Sequence, residues 1–415
     1  MQPDAVSSKT IWLFNQYAIT PGQAGGSRHY AIAKRLAQRG YRVTLFASGF
    51  NYQERRETKC TGEEPFTIEN HEGVRFVWVK TTPYSRNNWR RILNMLSYCR
   101  QCLRIYQKLL SEERVEKPGV IIGSAVHLFA VWTAYFLSKR LKSTFIMEVR
   151  DLWPLTLVEF RRSLRFHPVV FALGRLDRFL SRRACRIISV LPGGFDYYQR
   201  YGIARERVVW IPNGVETHLY TSDAGESPER FKIVYTGTFG MEASLHTLLE
   251  AAALIRERGL PIYFELTGSG ERKSELVAMR DRLQLANVEF FEPVRKEEIP
   301  RLLAGASALW IGSRNVKNLY RYGFSFNKLF EYLAAGKPIL FCIDSWYNPV
   351  QEVGAGFVIP PEDPDALCES IIRLYEMPVS ERIEMGRKGM AYAQAFHDMD
   401  ILADRFDALL SQLEH

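Results

Sequence analysis

At 415 residues, with 47% hydrophobic and 24% charged content, the chain has the composition of a soluble globular protein and room for two domains of ordinary size. Charge is unevenly spread: 34 Lys and Arg stand against 16 Asp and Glu up to Asn213, about +18, and 21 against 30 beyond it, about −9. A basic first half suits an anionic partner (a membrane surface, a phosphorylated lipid or nucleic acid) unless it is simply solvated surface. No nucleic-acid reader motif is present. Six scattered cysteines, with Cys99 and Cys102 as a single CxxC inside a helical pattern, suggest neither a disulfide framework nor a zinc site and suit helix packing.

The start, MQPDAVSSKT followed by the strand-like IWLF, lacks the basic stretch, apolar run and cleavage site of a secretory signal, so a cytoplasmic location is expected. TIWLFNQ, RVTLFAS, VRFVWVK, VIIGSA, STFIMEVRD, RIISVL and VVWIPNG then read as short apolar strands separated by helical patterns. Such strands form a parallel sheet covered on both faces. One helix, from about Asn88 to Leu110, sets Trp89, Ile92, Leu93, Leu96, Leu103 and Tyr106 toward one face, flanked by Arg90, Arg91, Arg100, Arg104 and Lys108. That pattern fits either an anionic membrane surface or packing on the sheet. Val120 to Leu137 has the length of a membrane span without a charge, but Gly123, Ser124 and His127 divide it into a strand and a buried helix starting near His127.

After the polar linker TSDAGESPER the alternation restarts with KIVYTGT, IYFELTGSG, VEFFEP, ALWIGSR, PILFCI and GFVIP. The expected fold is α/β: two doubly wound Rossmann-like domains, 1–213 and 214–394, facing each other across a cleft. A closing helix, about 395–415, returns to the first domain. Ligands bind such sheets at the carboxyl ends of their strands.

The stretch from Arg321 to Pro338, RYGFSFNKLFEYLAAGKP, carries more polar chemistry than packing needs. Ser325 is the expected N-cap of a helix over about 326–335, with Gly336 and Pro338 as its stop. The free N–H groups of Phe326, Asn327 and Lys328, the positive end of the helix dipole and a mobile Lys328 side chain suit a diphosphate. Glu331, one turn after Asn327, can accept from a ribose diol. A capped surface helix with a solvated Glu331 is the plainer alternative. Gly25 and Gly26 follow the first strand, where missing side chains let N–H groups approach a ligand, or where a tight turn needs them. Arg28 and His29 open the next helix and can touch the same anions.

NQY with GGSRHYAIAKRLAQRGYRVT, SAVHLFA, EVRDLWP, IPNGV, LTGSGERKSEL and FSFNKLFEYLAAGKP occur in order across both halves. Together they resemble the family-4-type retaining glycosyltransferases of GT-B architecture, and within them the branch acting on nucleotide-activated amino or deoxy sugars in bacterial surface-polysaccharide assembly. The resemblance implies transfer, with retention, from a nucleoside diphosphate sugar, expected to be a UDP-sugar, to a carbohydrate acceptor that is plausibly lipid-linked. It also implies that the acceptor's proton passes to the departing phosphate. With no DxD-like motif beside the proposed phosphate site, no metal or other cofactor is expected. The Gly26 loop would face the donor phosphates and the acceptor, with Arg28, His29 and His127 on the acceptor side. Gly268 and Gly270 would lie under the nucleotide, with Arg295 near its base and Ser325, Phe326, Asn327 and Glu331 on the donor. Arg150 stands where many members have His, beside Asp151; the pair is assigned to catalysis with Lys328, or else forms a structural ion pair. His127 is open to a second reading as a satisfied core histidine.

Two departures stand out. Of the family's paired glutamates only Glu331 is present, the other position being Gly323, and its usual Arg and Lys fall at Thr238 and Ala243. Lys328 and arginines such as Arg321, Arg314 or Arg150 would then have to neutralise the diphosphate. A nucleotide-sugar epimerase on the same fold and, more remotely, a nucleic-acid-binding protein are the rival readings.

Overall fold

Short runs of β-branched and aromatic residues can be buried on both faces only if helices cover a parallel sheet. The computed structural model describes residues 9–20, 27–86, 88–160, 162–221, 230–315 and 320–413, and the chain divides into two units, Met1–Pro212 with Leu402–His415, and Asn213–Ile401. Both are Rossmann-like.

The first unit runs β1 (Thr10–Phe14), α1 (Arg28–Gln38), β2 (Arg42–Ser48), β3 (Phe50–Asn51), β4 (Arg56–Glu57), β5 (Phe66–His71), β6 (Val74–Val79) and α2 (Trp89–Ser111). It continues with β7 (Val120–Ser124), α3 (Leu128–Leu141), β8 (Thr144–Val149), α4 (Leu155–Phe160), α5 (Pro168–Arg183), β9 (Arg186–Ser189), α6 (Gly194–Gln199) and β10 (Val208–Trp210). Its main sheet has the order β10-β9-β8-β7-β1-β2-β6-β5, parallel except for the β5–β6 pair. The direction of winding reverses between β1 and β7, which is where such a sheet opens a crevice at its strand ends. Trp12, Phe14 and Phe46 fill the core, with Phe14 stacked on Phe46 at 4.5 Å.

The span-like stretch does divide into β7 and α3, and among the described residues no helix is long and apolar enough to cross a membrane. Cys99 and Cys102 are free, buried packing residues of α2, and burial pushes the Cys99 thiol up to about 11. The apolar face predicted for α2 is corrected in part. Tyr106 is buried together with Met95, Tyr98, Cys102, Ile105 and Leu109, whereas Trp89, Ile92, Leu93 and Leu96 are exposed. Two apolar stripes share the helix, and the sheet covers only one.

The second unit runs β11 (Phe231–Thr238), α7 (Leu245–Glu257), β12 (Ile262–Ser269), α8 (Lys273–Arg282), β13 (Val288–Phe291), α9 (Ile299–Ala304) and β14 (Ala308–Gly312). Then follow α10 (Asn327–Ala334), β15 (Ile339–Cys342), α11 (Pro349–Val353), β16 (Gly356–Val358), α12 (Pro364–Glu376) and α13 (Val379–Phe396). The sheet, β13-β12-β11-β14-β15-β16, is wholly parallel and reverses its winding between β11 and β14. The last helix, α14 (Met399–Ser411), belongs to the first unit from Leu402 onward. There Asp404 pairs with Arg39 at 2.5 Å and Asp407 accepts from the Tyr41 hydroxyl at 2.7 Å.

Candidate active site

In the second unit the site grows from α10. Leu329, Phe330, Tyr332 and Leu333 are buried, and Tyr332 is anchored by accepting the Thr236 N–H at 2.8 Å. Gly336, at φ +65°, supplies the left-handed residue that stops the helix. The N-cap is Phe326 rather than Ser325, and the helix starts at Asn327. Ser325 has another role: its hydroxyl accepts the Asn213 N–H at 2.9 Å, and its carbonyl accepts from Asn213 Nδ2 at 2.6 Å. Asn213 is held in turn through its carbonyl by His397 Nδ1 at 3.2 Å, while the His397 ring stacks on Phe330 at 4.0 Å. With the cap serine so engaged, the N–H groups of Phe326, Asn327 and Lys328 have no protein acceptor among the described residues. These are the groups, with the dipole behind them, that suit an anion.

Lys328 is not the mobile cation the sequence suggested. Its ammonium sits 3.8 Å from the centre of the Tyr235 ring, in the space that a side chain on Gly237 would take. A Cβ there would stand 2.8 Å from Lys328 Cε and 2.9 Å from Nζ, and Gly237 itself is at φ +142°. Burial pulls the ammonium down to about 7, with Glu331 opposing. Among the described residues it makes no ion pair, which leaves an incoming anion as its natural counter-charge. Glu331 is half-buried; burial raises its carboxyl while Lys296 and then Lys328 hold it down. Tyr220 lies close enough for Glu331 to raise its hydroxyl further after burial has done so.

The glycines after β12 serve the protein backbone first. A Cβ on Gly268 would meet the Gly237 carbonyl at 1.9 Å, and one on Gly270 would meet Phe239 backbone atoms at 2.4 to 2.7 Å. They let the β11 and β12 strand ends touch, and Ser269 O accepts the Phe239 N–H at 2.8 Å. Arg295 is exposed, its N–H donated to Glu298 at 2.9 Å. Arg321 is exposed too, its carbonyl taken by Trp346 Nε1 at 2.8 Å, and Arg314 faces Glu362 at 4.0 Å. Gly323 is at φ +76°, a backbone setting that disfavours the glutamate of the resemblance. Between Thr238 and Ala243 the chain carries Glu242 in a short 3-10 turn, so the local charge is opposite to the usual one.

In the first unit Gly25 and Gly26 lie outside the described residues. Arg28 and His29 are buried and already engaged, which corrects their reading as free anion contacts. Arg28 donates to the Ile211 carbonyl at 2.9 Å, to that of Pro212, and to Glu148 at 3.4 Å. Asn15 Nδ2 donates to His29 Nδ1 at 2.8 Å, so His29 Nε2 carries the proton and gives it to Glu148 at 2.5 Å. Burial lowers His29 while Glu148 opposes it, and Glu148 is held far below the usual carboxylate range because its interactions with His29 and Arg28 outweigh its desolvation.

His127 is the satisfied core histidine of the two open readings. Its Nδ1 accepts the Ala130 N–H at 3.1 Å and caps α3, and its Nε2 donates to Gln16 Oε1 at 2.6 Å. Burial, then Arg91, pulls it down to about 3. Arg150 is half-buried; burial raises the Asp151 carboxyl while Arg150 lowers it, so the two groups interact electrostatically without a direct ion pair among the described residues. Arg150 adds positive field to the Glu148 cluster.

Sequence reasoning missed Gly237, Asn213, Lys296, Tyr220 and Glu148 as parts of these clusters. Glu148 was the legible one: a lone acid inside STFIMEV implies a buried partner. Among the described residues no cluster of three or more His, Cys, Asp or Glu is placed to hold a metal ion.

Two Rossmann-like domains, the second with an open helix N-terminus and a lysine at its switch point, place the chain among proteins of GT-B architecture. Residues 25–214 match the Glycosyl transferase 4-like domain and residues 230–377 the Glycosyl transferases group 1 domain, and the chain belongs to the family-4-type glycosyltransferases that combine them. It superposes on sucrose-phosphate synthase from Thermosynechococcus elongatus with TM-score 0.77 at 17% identity, covering 97% of this chain and 98% of that one. It also superposes on Anabaena HepE in complex with UDP and glucose, with TM-score 0.67 at 17% identity, over 97% and 99% of the two chains. In sequence it is 30% identical over 113 residues to WcaI of Escherichia coli, named as a candidate colanic acid biosynthesis glycosyl transferase, over 25% of this chain and 27% of that protein. The chain spans between 27% and 65% of the length of the curated relatives it matches.

Proposed function

We propose that this chain transfers a sugar from a nucleoside diphosphate donor, in the first instance a UDP-sugar, to a carbohydrate acceptor carried on a lipid, with retention at the anomeric carbon. The setting would be surface polysaccharide or glycoconjugate assembly, including lipopolysaccharide, by a cytoplasmic protein held at the inner face of the plasma membrane. The observation that carries the reading is the α10 N-terminus, three unengaged N–H groups beside a lysine cradled by Gly237. A leaving diphosphate gains negative charge as its bond to the sugar breaks, and fixed donors aimed at that charge lower the barrier. The new bond joins the acceptor oxygen to the anomeric carbon, the old bond to the phosphate oxygen breaks, and the acceptor's proton goes to the departing diphosphate. No protein base is needed, and we take the reaction to be metal-independent.

Glu331, flanked by Lys296 and Tyr220, is assigned to the ribose, and the loop of Gly268 and Gly270 to the nucleotide side with Arg295. Arg150 and Asp151 are assigned to sugar or acceptor groups; Arg28 and His29 hold the first domain's strand ends in place. The UDP of the Anabaena complex and the colanic acid name of the relative support the donor and pathway class. The test is thermal stabilisation by UDP, GDP, ADP and UMP, with and without EDTA, on wild type, Lys328→Ala and Glu331→Ala. UDP should stabilise selectively, less in both variants and regardless of EDTA, and UDP-sugars would then be screened with acceptors. No response to any nucleotide sinks the donor assignment, loss of the response or of transfer in EDTA sinks metal independence, and UDP-sugar conversion without acceptor would mark an epimerase.

A further inference from the structure

The helices that follow β6, β7 and β8 connect strands laid down in one direction across the first sheet, so right-handed crossovers put α2, α3 and α5 on the same face. α3 packs between the other two. The outer surface of α3 and α5 is built in a repeating way. On α3, Trp132 and Phe136 stack at 5.6 Å and Arg140 lies 5.3 Å over Phe136, one helical turn per step. On α5, Phe171, Arg175, Phe179 and Arg183 follow one another at the same spacing, with Arg175 over Phe171 at 5.7 Å and Arg183 over Phe179 at 5.4 Å. Tyr135 joins the two stripes through an edge contact with Phe179 at 5.4 Å.

This surface is both apolar and cationic. Phe166 is 91% exposed and Phe171 69%, far beyond what a side chain with a folded partner would show. From Phe160 to Arg186 there are eight arginines and one acid, Asp177, and that acid is buried. Arg165, Arg175, Arg178 and Arg183 are exposed and pair with no carboxylate among the described residues. Beyond α3 lie Trp89, Ile92, Leu93 and Leu96 of α2, exposed beside Arg90 and Arg100.

We propose that the α3–α5 face is a docking surface for an anionic bilayer, continued by the exposed stripe of α2. Arginine stems lie along apolar surface while their heads reach phosphate, and Phe and Trp side chains enter the acyl boundary. A second copy of the chain would set like charge against like, and nucleic acid would leave Val169, Ile92, Leu93 and Leu96 without a partner. The inference deepens the lipid-linked-acceptor reading and rests on it only for its purpose.

The test is flotation of the full chain with vesicles of phosphatidylcholine alone or mixed with phosphatidylglycerol. Three proteins are compared: wild type, Arg165→Glu/Arg175→Glu/Arg178→Glu, and Phe166→Ser/Phe171→Ser. Wild type should float only with the anionic lipid and less so at high salt. Each variant should lose binding by at least about tenfold, with melting temperature and UDP response unchanged, because these side chains are exposed and belong to the first unit, whereas α10 belongs to the second. Equal flotation of wild type and variants overturns the proposal, as does wild-type binding to both vesicles alike. So does a dimer dispersed by the same substitutions, or tight single-stranded RNA binding without flotation. A protein that floats as described yet ignores nucleotides would sink the donor assignment and leave the surface standing.

Discussion

Replacing Gly237 by alanine tests the lysine cradle most directly. A methyl group there would meet Lys328 Cε at 2.8 Å, Nζ at 2.9 Å and the Tyr235 hydroxyl at 3.3 Å, on a backbone at φ +142°. Holding a non-glycine residue in such a conformation costs about 1–3 kcal/mol. The lysine tip is flexible and gives way, so little is added by the clash itself. In giving way, however, it leaves the Tyr235 ring, at a loss of about 1–2 kcal/mol for a desolvated cation–π contact. A total of roughly 2–5 kcal/mol should appear as a lower urea midpoint. For binding, a displaced ammonium forfeits a charge-assisted hydrogen bond of about 1.5–3 kcal/mol, roughly ten- to hundredfold in UDP affinity. A double-mutant cycle with Lys328→Met separates the two effects. In that background Gly237→Ala should still lower stability but cost little further affinity. Unchanged UDP affinity in Gly237→Ala, or fully additive losses, would refute the cradle.

Two further outcomes follow from the buried polar groups. Asp177 accepts from Tyr198 at 3.2 Å and from Tyr197 at 3.5 Å, and burial pushes it up to about 7. The folded chain thus holds a proton that the unfolded chain, near its ordinary 3.8, has lost. This contribution is fully present at low pH, falls away between about pH 4 and 7 and then stays level, by up to about 4 kcal/mol. The difference in urea midpoint between wild type and Asp177→Asn should therefore shift in favour of the variant across that window, and a constant gap from about pH 4 to 8 would contradict it. Asn213→Ala removes the 2.6 Å bond to the Ser325 carbonyl but keeps the backbone bond, so a loss of only about 0.5–1.5 kcal/mol is expected. Hydrogen exchange at the first turn of α10 should quicken and the UDP response shrink; unaltered exchange would show that Asn213 does not hold the helix start.

Much of the architecture was legible because it rests on local pattern. Apolar runs of five to eight residues between helical repeats dictate buried parallel strands, and Gly336 followed by Pro338 marks the end of α10 whatever surrounds it. The site was legible only as a neighbourhood. FSFNK announced an anion-ready helix start, but which groups remain open depends on Asn213, 112 residues away, which takes the serine that would have capped it. The same limit applies to charge. Sequence shows that Lys328, Arg28, His29 and His127 are ionisable, and tertiary structure decides that Arg28 and the two histidines are bonded internally, while Lys328 is desolvated against Tyr235 with no direct ion pair among the described residues. Periodicity likewise placed apolar residues on α2 without saying which stripe the sheet would cover. By itself the sequence determined the elements, their order and the charge of each half, because these follow from spacing and composition. Only the tertiary structure decided which polar groups are spent inside the protein, because hydrogen-bond partners and desolvation arise from residues far apart in the chain.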